Sequence, residues 1–131
     1  MNRKLLTLVG VVVLLMMVGC KHDEFIPDPE QMYGKWLTGS TYYRFDKDYW
    51  DYMIQDSTTV KVNGARWDTS DDVTEEEAQP FKWTLSENSL TVVHRMYMGG
   101  TVPKSYTVKS IVGNKMIWED AFGRQTILNK Q

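Results

Sequence analysis

Phe81-Lys82-Trp83-Thr84-Leu85-Ser86-Glu87-Asn88-Ser89-Leu90-Thr91-Val92-Val93-His94-Arg95-Met96-Tyr97 is the stretch on which the fold turns. Phe81, Trp83 and Leu85 occupy alternate positions, with Lys82 and Thr84 between them. After Ser86-Glu87-Asn88, a turn signal, Leu90, Val92, His94 and Met96 alternate with Thr91, Val93, Arg95 and Tyr97. Successive side chains of a strand point to opposite faces, so this spacing describes strands with one face in a core; a helix would repeat near 3.6 residues. Two such runs joined by a short polar turn read as an antiparallel hairpin.

The pattern continues in both directions. Upstream, Tyr33–Leu37, Thr41–Phe45, Tyr49–Ile54, Thr58–Val62 and Ala65–Thr69 are β-rich, and Gly39-Ser40, Asp46-Lys47-Asp48 and Asp56-Ser57 separate the first four. Asn63-Gly64 lies between the last two and is predicted to be a hairpin turn, because type I′ turns need positive φ at both central residues. Downstream, Lys104–Val112, Lys115–Asp120 and Arg124–Asn129 follow breaks at Gly99-Gly100, Gly113-Asn114 and Gly123. Asp72–Gln79 breaks the alternation with helix formers. Asp72 or Thr74 could cap it and Pro80 would end it, so one or two helical turns are expected there. About eight to ten short strands with hairpin-length connections must hide their edges, and an up-and-down antiparallel barrel with one short helix, over residues 32–131, does so best.

The chain has 131 residues, 42% hydrophobic, a net charge of −2 and a single cysteine. That composition suits one globular domain without a disulfide framework or a cysteine-based zinc site, and without the basic excess that nucleic acid requires. Before the domain, Met1-Asn2-Arg3-Lys4 leads into an apolar run from Leu5 to Val18 that ends at Gly19-Cys20. A basic start, a short apolar core and small residues before a break are the parts of a secretory signal over residues 1–19, and the run is too short to span a bilayer. Removing it takes away Arg3 and Lys4 and leaves a mildly acidic domain.

Met17-Val18-Gly19-Cys20 resembles the lipobox of bacterial lipoproteins, with Met17 where Leu is usual. The resemblance implies cleavage before Cys20, acylation (palmitate) of that residue and anchoring through acyl chains rather than a spanning segment. Cys20-Lys21-His22-Asp23-Glu24 resembles the surface-export signal of lipoproteins in one group of Gram-negative anaerobes, interrupted by His22. A plain solvated tether over residues 20–31, stiffened by Pro27 and Pro29, explains the same stretch.

Gly34-Lys35-Trp36 matches the Gly-x-Trp that opens lipocalins and fatty-acid-binding proteins. Tyr42-Tyr43-Arg44-Phe45, Trp67-Asp68, Asp72–Ala78, Val102-Pro103-Lys104-Ser105-Tyr106-Thr107-Val108 and Asp120–Gly123 resemble small lipocalin-like lipoproteins of Gram-negative gut bacteria. The segment from Asp46 to Arg66 departs from that pattern by the insertion of Tyr49-Trp50-Asp51-Tyr52. The resemblance implies a lipid-anchored outer-membrane barrel and supplies no ligand. It also implies that Trp36 plugs the closed end under a basic residue near the last strand, for which Arg124 is the candidate.

A ligand pocket is expected, if the barrel has one, among Trp83, Val92, His94, Met96, Tyr106 and Trp118, since apolar walls with a few polar groups characterise such sites. Filling of the barrel by its five tryptophans is the competing expectation, because a small eight-stranded barrel has room for side chains or one small ligand. His94 lies on the apolar register of its strand, where it would contact a ligand or serve as a buried structural histidine; no partner for acid–base catalysis is recognisable. Asp68, Asp71, Asp72, Glu75, Glu76 and Glu77 fail the calcium-loop spacing, with Val73 at the glycine position and Gln79 at the glutamate position. No nucleophile elbow, phosphate loop or dinucleotide fingerprint is present, so no catalysis, cofactor or metal is expected. Two functions follow: a monomeric, membrane-anchored barrel holding a small hydrophobic ligand, or an accessory lipoprotein meeting a protein or glycan through Tyr49, Trp50 and Tyr52.

Overall fold

The computed structural model describes residues 24–54, 57–96 and 100–131. The expected signal and Cys20 lie outside the described residues, as do Tyr97, Met98 and Gly99.

Eight antiparallel strands close into one barrel in sequence order: β1 (Gly34–Thr38), β2 (Thr41–Met53), β3 (Thr59–Asp68), β4 (Gln79–Ser86), β5 (Ser89–Arg95), β6 (Thr101–Val112), β7 (Lys115–Asp120) and β8 (Gln125–Lys130). The alternation read from Phe81 to Arg95 is the β4–β5 hairpin, with Trp83 opposite Val92 and Phe81 opposite His94. Phe81, Trp83, Leu90, Val92 and His94 are buried while Lys82 and Thr84 face solvent, as a strand with one dry face requires. Closure rests on a short seam in which Trp36 of β1 faces Lys130 of β8 and Leu37 faces Asn129. A barrel closed in this way leaves no long unpaired edge for another chain to extend.

A helical turn, α1 (Pro29–Met32), crosses the end of the barrel at which β1 starts and β8 stops. Pro29 at the first helical position has no N–H to waste, and Gln31 closes a capping box by accepting from the Asp28 N–H at 2.8 Å. Met32 is fully buried, and the Trp36 indole Nε1 donates to its carbonyl at 2.9 Å. Phe25 also packs on the core. Part of the stretch expected as tether therefore rests on the barrel.

Asn63-Gly64 is not a turn. β3 runs straight through it, Gly64 has no positive φ, and the β2–β3 connection falls earlier, with Ser57 at φ 60. The dipeptide instead solves a packing problem. A Cβ on Gly64 would overlap the Phe81 ring and come within 2.8 Å of the Arg44 carbonyl, so only glycine lets that ring lie on the backbone. Beside it, β3 leaves the β4 ladder. The buried Asn63 side chain takes over the missing bonds, accepting from Trp83 N at 2.8 Å and donating to Trp83 O at 3.1 Å. The predicted break at Asp46-Lys47-Asp48 is a bulge within β2, where residues 46–49 face Asn63 alone.

Within the predicted helix over Asp72–Gln79 there is one 3-10 turn, Glu75–Glu77, and a first, Thr69–Asp71, precedes it. Thr74 holds the N-cap position of the second without a side-chain bond to its backbone; its Oγ1 donates instead to Glu77 Oε1 at 3.0 Å. Asp72 ends the first in the left-handed region at φ 57, which interrupts any longer helix. Gln79 and Pro80 already belong to β4.

Candidate functional site

The two ends of the barrel differ in chemistry. At the α1 end, Met32, Trp36, Leu90, Val108, Met116 and Leu128 are essentially without exposed surface. The cation over Trp36 is Lys130, whose Nζ lies 5.6 Å from the ring centroid, and not Arg124. Antiparallel pairing explains the correction. Lys130 sits opposite Trp36 across the β1–β8 seam, whereas Arg124 precedes β8 at the other end and turns back on Asp120, its Nε donating at 3.0 Å. Gly34 completes the arrangement. Its φ of +125 is open to glycine, and a Cβ there would come within 2.9 Å of Lys130 Cε. Gly34-x-Trp36 thus marks the place where a lysine stem crosses bare backbone to reach an indole.

Above this plug the interior is filled by rings. Phe45 meets Trp83 edge-on at 5.4 Å and Phe81 at 5.5 Å. Tyr106 stacks on Trp118 at 4.6 Å and 24°, and Tyr43 meets the same indole edge-on at 5.1 Å. These are the offset and T-shaped arrangements that ring quadrupoles favour. Of the five tryptophans, Trp36, Trp83 and Trp118 belong to this core. Trp67 is buried separately, stacked on Tyr42 at 5.0 Å.

At the opposite end, where β3 and β5 finish and β4 and β6 begin, a cup of about 360 Å³ opens to solvent. Tyr43, Arg66, Gln79, His94, Met96, Val102, Lys104 and Tyr106 line it. Three of the residues expected at a pocket are therefore present: His94, Met96 and Tyr106. Trp83, Val92 and Trp118 are instead 5%, 0% and 2% exposed in the core beneath. Alternation along one strand tells which side chains face inward, not how far along the barrel axis the filled region ends. Arg66 and Lys104 escaped sequence reading because a charge beside apolar neighbours looks like an outward position. Their signal was register: Arg66 is two residues from Gly64, and Lys104 two from Tyr106, on the inward parity of each strand.

His94 is 8% exposed, its ring edge-on to Phe81 at 5.6 Å. Its Nδ1 is buried and meets no hydrogen-bond partner among the described residues. Burial, reinforced by the charges of Arg66 and Lys104, lowers its pKa to about 4, so the imidazole is neutral at neutral pH. Burial likewise pushes the Tyr106 phenol up to about 12, aided by Tyr43, which keeps it protonated and able to donate.

A broader depression of about 640 Å³ lies on the outer wall beside the β2 bulge. Arg44, Asp46 and Trp50 in its lining are already paired. Asp46 accepts from Arg44 Nε at 3.0 Å and from Trp50 Nε1 at 2.9 Å, and Arg44 lies 5.8 Å over the Trp50 ring. Trp50 also meets Tyr52 edge-on at 6.4 Å, and Tyr49 lies under the Lys82 ammonium at 5.7 Å. In the acidic run, Asp68 and Glu75 are similarly occupied. Asp68 accepts from Ser70 Oγ at 2.6 Å, Ser40 Oγ at 2.7 Å and Thr41 Oγ1 at 3.0 Å, bonds that hold its carboxyl well below the usual range. Glu75 reaches Lys35 and, at 3.9 Å, Arg44, which fastens the second 3-10 turn to β1 and β2.

The chain is therefore an up-and-down eight-stranded barrel, plugged at one end and cupped at the other. The chain is a member of the lipocalin-like domain family, whose model matches residues 24–118. No curated protein and no solved structure matches it.

Proposed function

We propose that this protein is a lipid-anchored lipoprotein of the outer membrane that holds one small, largely apolar molecule in the cup at its barrel mouth. The observation that carries the reading is the cup itself, about 360 Å³ over a floor of Tyr43 and Tyr106 packed on Trp118. That volume is at the lower end for ligand sites, and an aromatic floor with a few polar groups around it is their usual composition. Filling of the barrel below Trp118 limits the guest to the mouth. Membership of the lipocalin-like family supports binding over other uses of a barrel. The reading is of a binding protein and not an enzyme: His94, the one imidazole in the domain, has no carboxylate among the cup's lining residues to work with.

Attachment through acyl chains on Cys20 is supported by the apolar run from Leu5 to Val18 and by Gly19-Cys20. The second reading, recognition of a protein or glycan through Tyr49, Trp50 and Tyr52, is weakened by the engagement of the Trp50 ring and N–H within the protein.

Native mass spectrometry of the protein from its own host tests the binding claim. A co-purifying small mass, lost when Val102→Trp fills the cup, is the expected result. Absence of any such mass, together with failure to take up apolar dyes, ends the reading. Replacement of Cys20 by Ser tests the anchor separately, the expected outcome being loss of acyl chains and departure from the membrane fraction.

A further inference from the structure

The hydrogen-bonding inventory of the cup is lopsided. Arg66 and Lys104 are donors only. The Tyr106 phenol stays protonated. No aspartate or glutamate lines the cup. Ion pairs among the described residues engage Lys35, Arg44, Lys61, Lys109 and Arg124, whereas neither Arg66 nor Lys104 has a carboxylate within 4.0 Å among them. The nearest acid on the neighbouring strand, Asp120, faces Tyr106 across β6 and β7. It is occupied, accepting from the backbone N–H groups of Phe122 and Arg124 at 2.9 Å each and from the Arg124 guanidinium. Both cations lie close enough to His94 to help hold its imidazole neutral, behind the larger effect of burial. Isolated lysines on a surface need no explanation. Two cations converging on one concave, aromatic-floored site, with the acids of the same face committed elsewhere, form a recognition feature.

We infer that the cup selects a ligand with one anionic oxygen group, a carboxylate or its sulfonate equivalent, joined to a flat apolar body. The anion takes the place between Arg66 on β3 and Lys104 on β6, with the Tyr43 and Tyr106 hydroxyls placed to donate to its remaining lone pairs. The apolar body lies over Tyr43 and Tyr106, against Met96 and Val102. Arg66 already lies 5.7 Å over the Tyr43 ring, so its guanidinium is positioned by stacking before any ligand arrives, which reduces the ordering cost of binding. This inference rests on the cup being the binding site and adds the class of molecule it takes.

A matched pair of fluorescent probes tests it on the folded protein: anilinonaphthalene sulfonate and its uncharged parent, phenylnaphthylamine. The sulfonate is expected to bind roughly tenfold tighter or more, the gain of a charge-assisted contact. That advantage should shrink as salt is raised, because screening acts on the charge alone. Arg66→Gln and Lys104→Gln should each bring the two affinities together. Lys104 is exposed and its replacement leaves the core untouched, so this variant keeps the test valid if Arg66→Gln fails to fold. Equal affinities in the native protein, or variants that weaken both probes alike, overturn the anion preference while the cup stands. Binding of neither probe removes the cup as a site, and the inference with it.

Discussion

The α1 end and the mouth of this barrel are built from the same strands but satisfy their side chains differently. At the α1 end Trp36 finds its partners inside the protein, giving its N–H to Met32 and its face to Lys130. At the mouth, His94 is nearly as buried yet leaves Nδ1 without a partner among the described residues, and two cations face the same space. Buried polar atoms are almost always paired in finished structure. The contrast separates a sealed, fully packed end from an open one that leaves polar groups available, which is what the proposed binding role would use.

The largest effect that could break this distinction is truncation at each end. Trp36→Ala should cost about 3–5 kcal/mol in urea unfolding, as large-to-small changes in a sealed core do. Met96→Ala at the mouth should cost less than about 1 kcal/mol, since Met96 is 42% exposed. Comparable losses would mean that both ends serve the core alike.

A smaller loss is expected midway, at the boundary between the two regions. Gly64→Ala should destabilise by about 1–3 kcal/mol, because the added methyl meets the Phe81 ring and the Arg44 carbonyl. Asn63→Ala should cost a similar amount by stripping partners from Trp83 N and O. Neutral outcomes at both would return the dipeptide to a loop.

Acid should sharpen the contrast from the mouth side. The folded His94 titrates near 4 and the unfolded one near 6.5, so between those values the unfolded chain binds more protons. Its contribution is fully present above pH 6.5 and is lost as the pH falls toward 4. His94→Gln should flatten that part of the urea midpoint against pH, whereas Lys130→Ala should not. The smallest effect concerns which cation covers the plug: Lys130→Ala should cost on the order of 0.5–1 kcal/mol, and Arg124→Ala should leave the unfolding midpoint where it was.

Much of the architecture was legible before any coordinates. Period-two alternation at Phe81–Leu85 and Leu90–His94 identifies strands and their inward faces, and Gly39 and Gly113 mark true turns at φ 58 and 59. The errors have a common cause. Asn63-Gly64 has the composition of a turn, but its neighbours across the sheet, Phe81 and Trp83, use the absent Cβ and the amide for packing. Arg124 is basic and close to the last strand, but antiparallel pairing puts Lys130 opposite Trp36. The candidate pocket was half legible: His94, Met96 and Tyr106 reach the cup, whereas Trp83, Val92 and Trp118 share their inward parity and lie below it.

Local alternation, turn chemistry and the Gly34-x-Trp36 motif were enough to specify an antiparallel barrel, because side-chain direction in a strand depends only on the parity of position. Depth along the barrel axis is another matter. It depends on how far each strand is staggered against its neighbours, a sum of registers and bulges around a closed ring. Only the folded molecule could therefore decide that the tryptophans end beneath Tyr106 and that Arg66, Lys104 and His94 come to share one open cup.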